Sequence, residues 1–258
     1  MTALVLVLVC SAIVSYLMGG LNGAIMLSRA VYHQDIRELG SKNPGFTNFK
    51  RVYGNGIVSW LVIVIDMLKT VLPVLGTALV MSNVLHIEHF GWQFGAQFSG
   101  LFCMIGHCFP VWYKFKGGKA FITGFATIWF VDWRMALAAM AVFFIVLFIG
   151  KYMSVASCSA AFFCPIALAS LSPESIWVEL MAIAAALLVI LRHWPNFVKL
   201  AHGTESKFSL RGKKKSDGEE KPAEQKDKKA QPAKTKTDAK PKAKTEKKSS
   251  ASKARHSK

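Results

Sequence analysis

Charge is scarce along the first four fifths of this chain. Of the 258 residues, positions 1–205 carry only 13 Lys/Arg and 8 Asp/Glu. A surface facing water needs about 25–35% charged residues. A soluble globular enzyme with a basic surface is therefore excluded, and the long apolar runs exclude disorder for the same stretch. Positions 206–258 lack the opposite things. They have no Val, Ile, Met, Trp, Tyr or Cys, but 19 Lys/Arg and 7 Asp/Glu. Most of the formal net charge of +17 belongs to this tail. The overall basicity is thus not the mark of a nucleic-acid fold. With no aromatic after Phe208 the tail has no stacking platform for single-stranded RNA.

Recognisable catalytic signatures are equally few. No CxxC pair and no His/Cys group at zinc spacing occurs. Cys10, Cys103, Cys108, Cys158 and Cys164 all lie in apolar stretches, where a thiol behaves as a small hydrophobe. There is no acidic cluster for a divalent metal, no G-x-S-x-G and no Walker A loop. Nor is there an internal repeat of the kind carriers often show. No metal and no cofactor is expected.

What fills the first 205 positions is membrane-grade helix. A bilayer core takes about 20 apolar residues, and seven candidate spans emerge: 3–27, 57–81, about 94–113, about 120–131, 135–150, 153–171 and 176–191. The fourth is too short to cross as a full helix and needs the shelter of its neighbours. The first has no positive flank ahead of it and a long apolar run, so it reads as a retained helix rather than a cleaved signal. Alternate connections hold 11 basic residues against 1. This asymmetry places the N-terminus outside and the C-terminus in the cytosol, which requires an odd number of spans. The fold class expected is all-α and integral to the membrane. A membrane-embedded domain over 1–207 is followed by a Lys-rich disordered tail over 208–258.

Polar residues collect on the cytoplasmic side in blocks. The first is DIRELGSKNPGFTN, residues 35–48, with Lys50 and Arg51 following. Glycines can bring N–H groups up to an anion, and Arg51 can grip a phosphate with two donors. The same block is also readable as a solvated turn. The second runs from GHCFP at 106–110 to FKGGK at 115–119. It suits a phosphate cradle and equally a positive-inside turn. The third is RHWPN at 192–196 with Lys199, His202, Gly203 and Glu205, and a smaller fourth is Lys151 to Ser154. Asp66 and Lys69, three residues apart within the second span, share a helix face and read first as a buried structural pair. Phosphate is the common denominator of the blocks.

These residues resemble the bacterial acyl-phosphate:glycerol-3-phosphate acyltransferases, seven-span integral membrane enzymes. The family's first motif resembles D-x-R-x-x-G-S-G-N-P-G-A-T-N followed by Arg, here DIRELGSKNPGFTN with Arg51. Its second resembles G-H-x-x-P…F-K-G-G-K-G-V-A-T, here GHCFP…FKGGKAFIT. Its third resembles R-H-x-x-N-x-x-R-L-x-x-G-x-E, here RHWPNFVKLAHGTE. Asp66 to Lys69 and Lys151 to Ser154 match two shorter signatures. The resemblance covers about residues 1–207 in order. Lys42 and Ala120 stand where the family has Gly, Phe46 where it has a small residue, Lys199 where it has Arg. Gly20 and Asn22 stand where Ser and Pro are usual.

The resemblance implies transfer of a fatty acyl group from acyl-phosphate to the sn-1 hydroxyl of glycerol 3-phosphate, giving lysophosphatidic acid and phosphate. This is the first acylation of phospholipid synthesis, at the cytoplasmic face of a bacterial inner or plasma membrane, and it needs an upstream enzyme that forms acyl-phosphate. Ser41, Arg51, Lys116, Gly117, Gly118 and Lys119 are expected to hold phosphate groups, with Asn43 and Asn48 positioning substrate. Ser154, His193 and Asn196 are the catalytic candidates. No histidine has an Asp five residues on, so the His/Asp pair of acyl-CoA-type acyltransferases is not evident. The alternative reading is a membrane transporter for a phosphorylated metabolite.

Overall fold

The computed structural model describes residues 2–85, 90–172 and 175–208. Two units divide the chain, Met1–Lys214 and Lys215–Lys258. The second lies wholly outside the described residues, as do the expected disordered tail beyond residue 208 and the Pro173-Glu174 end of the sixth span.

Among the described residues the chain forms ten α-helices and no strand. They are α1 (Thr2–Gly20), α2 (Gly23–Tyr32), α3 (Phe46–Tyr53), α4 (Ile57–Val80), α5 (Trp92–Cys108), α6 (Phe121–Val131), α7 (Trp133–Gly150), α8 (Met153–Leu171), α9 (Ile176–Arg192) and α10 (Trp194–Ala201). Five spans are long and apolar enough to cross a bilayer, namely Thr2–Tyr32, Ile57–Leu85, Trp92–Tyr113, Trp133–Gly150 and Met153–Leu171. The pair α9 and α10, bent by 46°, makes a sixth if taken as one span. Their apolar side chains face outward: Leu72 is 62% and Ile149 81% exposed. A surface of that kind needs lipid, not water.

Helix α5 is the hub, packed by α1, α4, α6 and α9. Small residues let the others come close, as they do between helices in lipid. A side chain at Gly100 would collide with Thr127 of α6, and one at Gly106 with the Tyr16 carbonyl of α1. Ser15 and Ser99 share a buried hydrogen bond of 2.8 Å across the α1–α5 seam. Helix α6, with 11 residues, reaches only about 16 Å. It is sheltered as expected, packing on α4, α5 and α7. Trp92 donates to the Phe130 carbonyl at 2.6 Å, and Asp132 caps α7 through the Arg134 N–H at 2.8 Å.

Two spans differ from their expected form. The first is two helices, broken at Leu21-Asn22. The Asn22 side chain caps α2 by accepting from the Ile25 N–H at 2.9 Å, and the Leu21 carbonyl is taken by Lys69. The third stops at Cys108, ahead of Phe109-Pro110, and continues as a single 3-10 turn over Val111–Tyr113. Residue 109, before proline, is steered out of the helical region.

Candidate active site

The helix order brings the ends of α1, α5, α7 and α9 and the starts of α2, α6 and α8 to one end of the bundle. All four polar blocks lie there, and specific bonds join them.

Block one folds on itself. Asn48 is buried. Its amide donates to the Leu39 carbonyl at 3.0 Å and the Ile36 carbonyl at 3.4 Å, while its oxygen accepts from the Ser41 N–H at 2.7 Å. Through these bonds it braces the loop that carries Ser41. The brace leaves Ser41 exposed, Asn43 half-buried and Arg51 on the exposed face of α3. Phe46, Phe49 and Tyr53 fall on the other face of α3; Phe49 is buried in a cluster with Ala24, Ile25 and Val62. Asp35 caps the turn at 36–38 and pairs with Arg37 at 2.6 Å. The Arg37 hydrogen bonds hold its carboxyl well below the usual carboxylate range, against the cost of burial. Arg37 then donates to the Tyr113 carbonyl at 3.0 Å. With Arg29 it lies over the Tyr113 ring, which ties block one to block two.

Blocks two and three are knitted together. Arg192 donates through Nε to the Gly118 carbonyl at 3.0 Å and through a terminal nitrogen to the Gly117 carbonyl at 3.1 Å. The Lys119 ammonium donates to the Asn196 side-chain oxygen, and Asn196 donates in turn to Glu205 at 2.8 Å. Burial pushes Lys119 down to about 8; Glu205 opposes this, and Lys199 and Arg192 add to it. Lys116 stands exposed. Gly117 and Gly118 are buried, and the Gly118 N–H is spent on the His107 carbonyl at 3.0 Å. His193 is buried, and its Nδ1 bonds the Val189 carbonyl at 2.8 Å. A carbonyl only accepts, so Nδ1 carries a proton; burial pushes the ring down to about 4, so it is neutral near pH 7 and Nε2 keeps its lone pair.

Block four completes the floor. Ser154 is 2% exposed, and its hydroxyl has no hydrogen-bond partner. One turn on, Cys158 lies within electrostatic reach of Lys119. The segment after α10 closes over this side. The Phe208 N–H donates to the Lys151 carbonyl at 2.6 Å and its ring takes Lys50 at 5.2 Å.

Below the site, an apolar cavity runs between α5, α6, α7, α8 and α9. Met104, Phe121 and Val189 mark its near end and Gln97 its far end. An open groove of about 470 Å³ lies on the outer side of α8 and α9. Ala186 lines both.

The buried pair Asp66–Lys69 was legible from its spacing, and the ion pair is present at 2.8 Å. Its partner His107, 2.8 Å from the Lys69 ammonium, was not connected to it by any sequence signal. Asn22, Tyr113 and Phe208 were also missed; Asn22 carries the one available hint, an N-cap residue three before Ile25.

A family model for glycerol-3-phosphate acyltransferases matches residues 9–203. The glycerol-3-phosphate acyltransferase of Finegoldia magna is 35% identical over 205 residues, covering 79% of this chain and 97% of its own length. That of Mesorhizobium japonicum is 33% identical, covering 80% and 98%. Among solved structures, the crystal structure of PlsY (YgiH), an integral membrane glycerol 3-phosphate acyltransferase, superposes in its glycerol 3-phosphate form with a TM-score of 0.69 at 29% identity. That match covers 78% of this chain and 96% of the other. The lysophosphatidic acid form gives 0.65.

Proposed function

The chain belongs to the glycerol-3-phosphate acyltransferase family, and from that membership we propose how its site works. It is a multi-pass membrane enzyme that acylates glycerol 3-phosphate to lysophosphatidic acid. The acyl donor in this reading is acyl-phosphate, supplied by an upstream enzyme that phosphorylates a free fatty acid or phosphorolyses an activated one. The protein crosses a bacterial inner or plasma membrane seven times, counting α6 as the short fourth span and α9 as the last. Its N-terminus is outside and the site is on the cytoplasmic face. Residues 1–207 are the catalytic domain and the remainder a basic tail.

The observation that supports this most is the closure of blocks two and three around Lys119, Asn196 and Arg192, beside a buried Ser154 hydroxyl that has no partner. In the reaction the sn-1 hydroxyl oxygen attacks the acyl carbonyl carbon. An ester C–O bond forms, the bond to the phosphate oxygen breaks, and the hydroxyl proton leaves on the departing phosphate. Ser41, Arg51, Lys116 and Lys119 hold the two phosphates, with Asn43 beside them and Asn48 bracing their loop. The Gly117-Gly118 turn gives the cradle its shape. His193 lies beside the attacking hydroxyl, and Ser154 and Asn196 donate at the reacting centre. Phosphate is already a competent leaving group, so orientation and fixed donors supply most of the acceleration. The acyl chain lies along the alanine seam of α8 and α9.

The test is purified protein given glycerol 3-phosphate with either acyl-phosphate or acyl-CoA. Lysophosphatidic acid from acyl-phosphate alone is the expected result. Turnover from acyl-CoA alone would overturn the donor assignment. Flux of glycerol 3-phosphate into liposomes without product would revive the transporter alternative.

A further inference from the structure

Asp66 and Lys69 sit behind the site, and nothing in the reaction above uses them. Their surroundings give them a task. The Lys69 ammonium has three N–H donors, and each has a partner: Asp66 Oδ1 at 2.8 Å, the Leu21 carbonyl at 2.5 Å and His107 Nδ1 at 2.8 Å. Asp66 Oδ1 also accepts from the Gly23 N–H at 3.2 Å. Lys69 and Asp66 are 4% and 3% exposed. A hub buried this far keeps its geometry only if every polar atom is matched, and then it rigidifies what it touches.

What it touches are the two substrate loops. On one side it clamps both strands of the α1–α2 break. The residue between those clamps, Asn22, donates through Nδ2 to the Pro44 carbonyl at 3.1 Å, inside block one. On the other side it fixes His107. An ammonium only donates, so Nδ1 accepts and the His107 proton sits on Nε2. That ring lies against Gly118 so closely that a Cβ there would strike Nε2, and the His107 carbonyl holds the Gly118 N–H at 3.0 Å. Arg192 holds the same turn from the opposite side through the Gly117 and Gly118 carbonyls.

We propose that Asp66, Lys69 and His107 form a positioning relay that sets the Gly117-Gly118 turn against block one, so that the two phosphate sites keep a fixed separation. The inference rests on the reading of those loops as phosphate sites. Its residues touch no substrate; they act through Gly118 and, by way of Asn22, through Pro44.

The experiment uses full-length protein in detergent with two readouts: steady-state kinetics with acyl-phosphate, and calorimetric affinity for glycerol 3-phosphate, which needs no donor. His107→Asn keeps an acceptor for Lys69 and is expected to stay within threefold of wild type. His107→Leu removes the acceptor. It should weaken glycerol 3-phosphate binding about tenfold and cut kcat/KM up to about a hundredfold, the scale expected for reacting groups displaced by an ångström. The doubly neutral variant Asp66→Asn with Lys69→Met leaves no lone buried charge and should match His107→Leu. Combining all three changes should be no worse than either alone, because they break one chain of contacts. The relay is refuted if His107→Leu, melting like wild type, keeps wild-type affinity and KM, or if the combined losses multiply. Wild-type protein that binds glycerol 3-phosphate but gives no product from acyl-phosphate would sink the donor reading alone. The affinity series would then still decide the relay.

Discussion

At the scale of single residues, two departures from the family pattern acquire a physical meaning. Lys42 and Ala120, which stand where the resembled motifs have glycine, both hold positive φ, at 61° and 56°. A side chain there sits against the following carbonyl oxygen at a cost of about 1–2 kcal/mol, which glycine avoids. Part of the gain from restoring glycine is returned through the freer unfolded chain. Ala120→Gly should therefore stabilise the fold by about 0.5–1 kcal/mol. Thermal unfolding in detergent should show a raised midpoint; an unchanged or lower one would say the αL conformation costs nothing here. Lys119 makes a second prediction. With its ammonium pushed down to about 8 by burial, the free enzyme loses that charge above about pH 8. The kcat/KM for glycerol 3-phosphate should fall on the alkaline side with a pKa near 8. Glu205 favours the charged form, so Glu205→Gln should move this limb to lower pH. A limb that stays put would remove Lys119 from phosphate binding.

At the scale of elements, the reading of the sequence succeeded where one signal dominated. Runs of apolar residues located α4, α7, α8 and α9 to within about two residues, because in lipid only a helix satisfies the backbone. Three separated motifs located the polar blocks. What the sequence did not disclose was pairing. Nothing local says that the Lys69 ammonium meets His107, that Arg37 reaches the Tyr113 carbonyl, or that Asn48 turns inward to brace Ser41. Those contacts depend on which helices neighbour α5, a question the periodicity of a uniformly greasy helix leaves open. The break at Leu21-Asn22 was hidden for a similar reason: its flanks are apolar, and its cause lies 48 residues away on Lys69. The α8–α9 seam carries the prediction at this scale. Ala186 lines both the inner cavity and the outer groove. Ala186→Phe should fill the seam and slow long-chain acyl-phosphates much more than short ones. Equal slowing at every chain length would place the acyl chain elsewhere.

At the scale of the whole molecule, scarcity of charge and the one-sided placement proposed for it fit a protein built to hold anionic reactants at a membrane boundary. In the proposed topology eleven basic residues lie on alternate connections, and several of them, Arg51, Lys116 and Lys119 among them, are the proposed phosphate ligands. On that proposal, orientation and chemistry draw on one set of cations. The basic tail stands apart from this division of labour. Truncation after Arg211 should leave specific activity within about twofold of the full chain, since every proposed ligand lies before residue 208; loss of activity in a correctly inserted truncated protein would contradict the domain boundary. The central claim is that blocks one, two and three open on one side of the membrane, the inner one. Ser41, Lys116 and Lys199 are exposed, one in each block. Singly placed Ser41→Cys, Lys116→Cys and Lys199→Cys variants should resist a membrane-impermeant maleimide in intact cells and react once the cells are permeabilised, with Gly91→Cys as the outward-facing control that reacts in both. Labelling of any one of the three in intact cells would contradict the account.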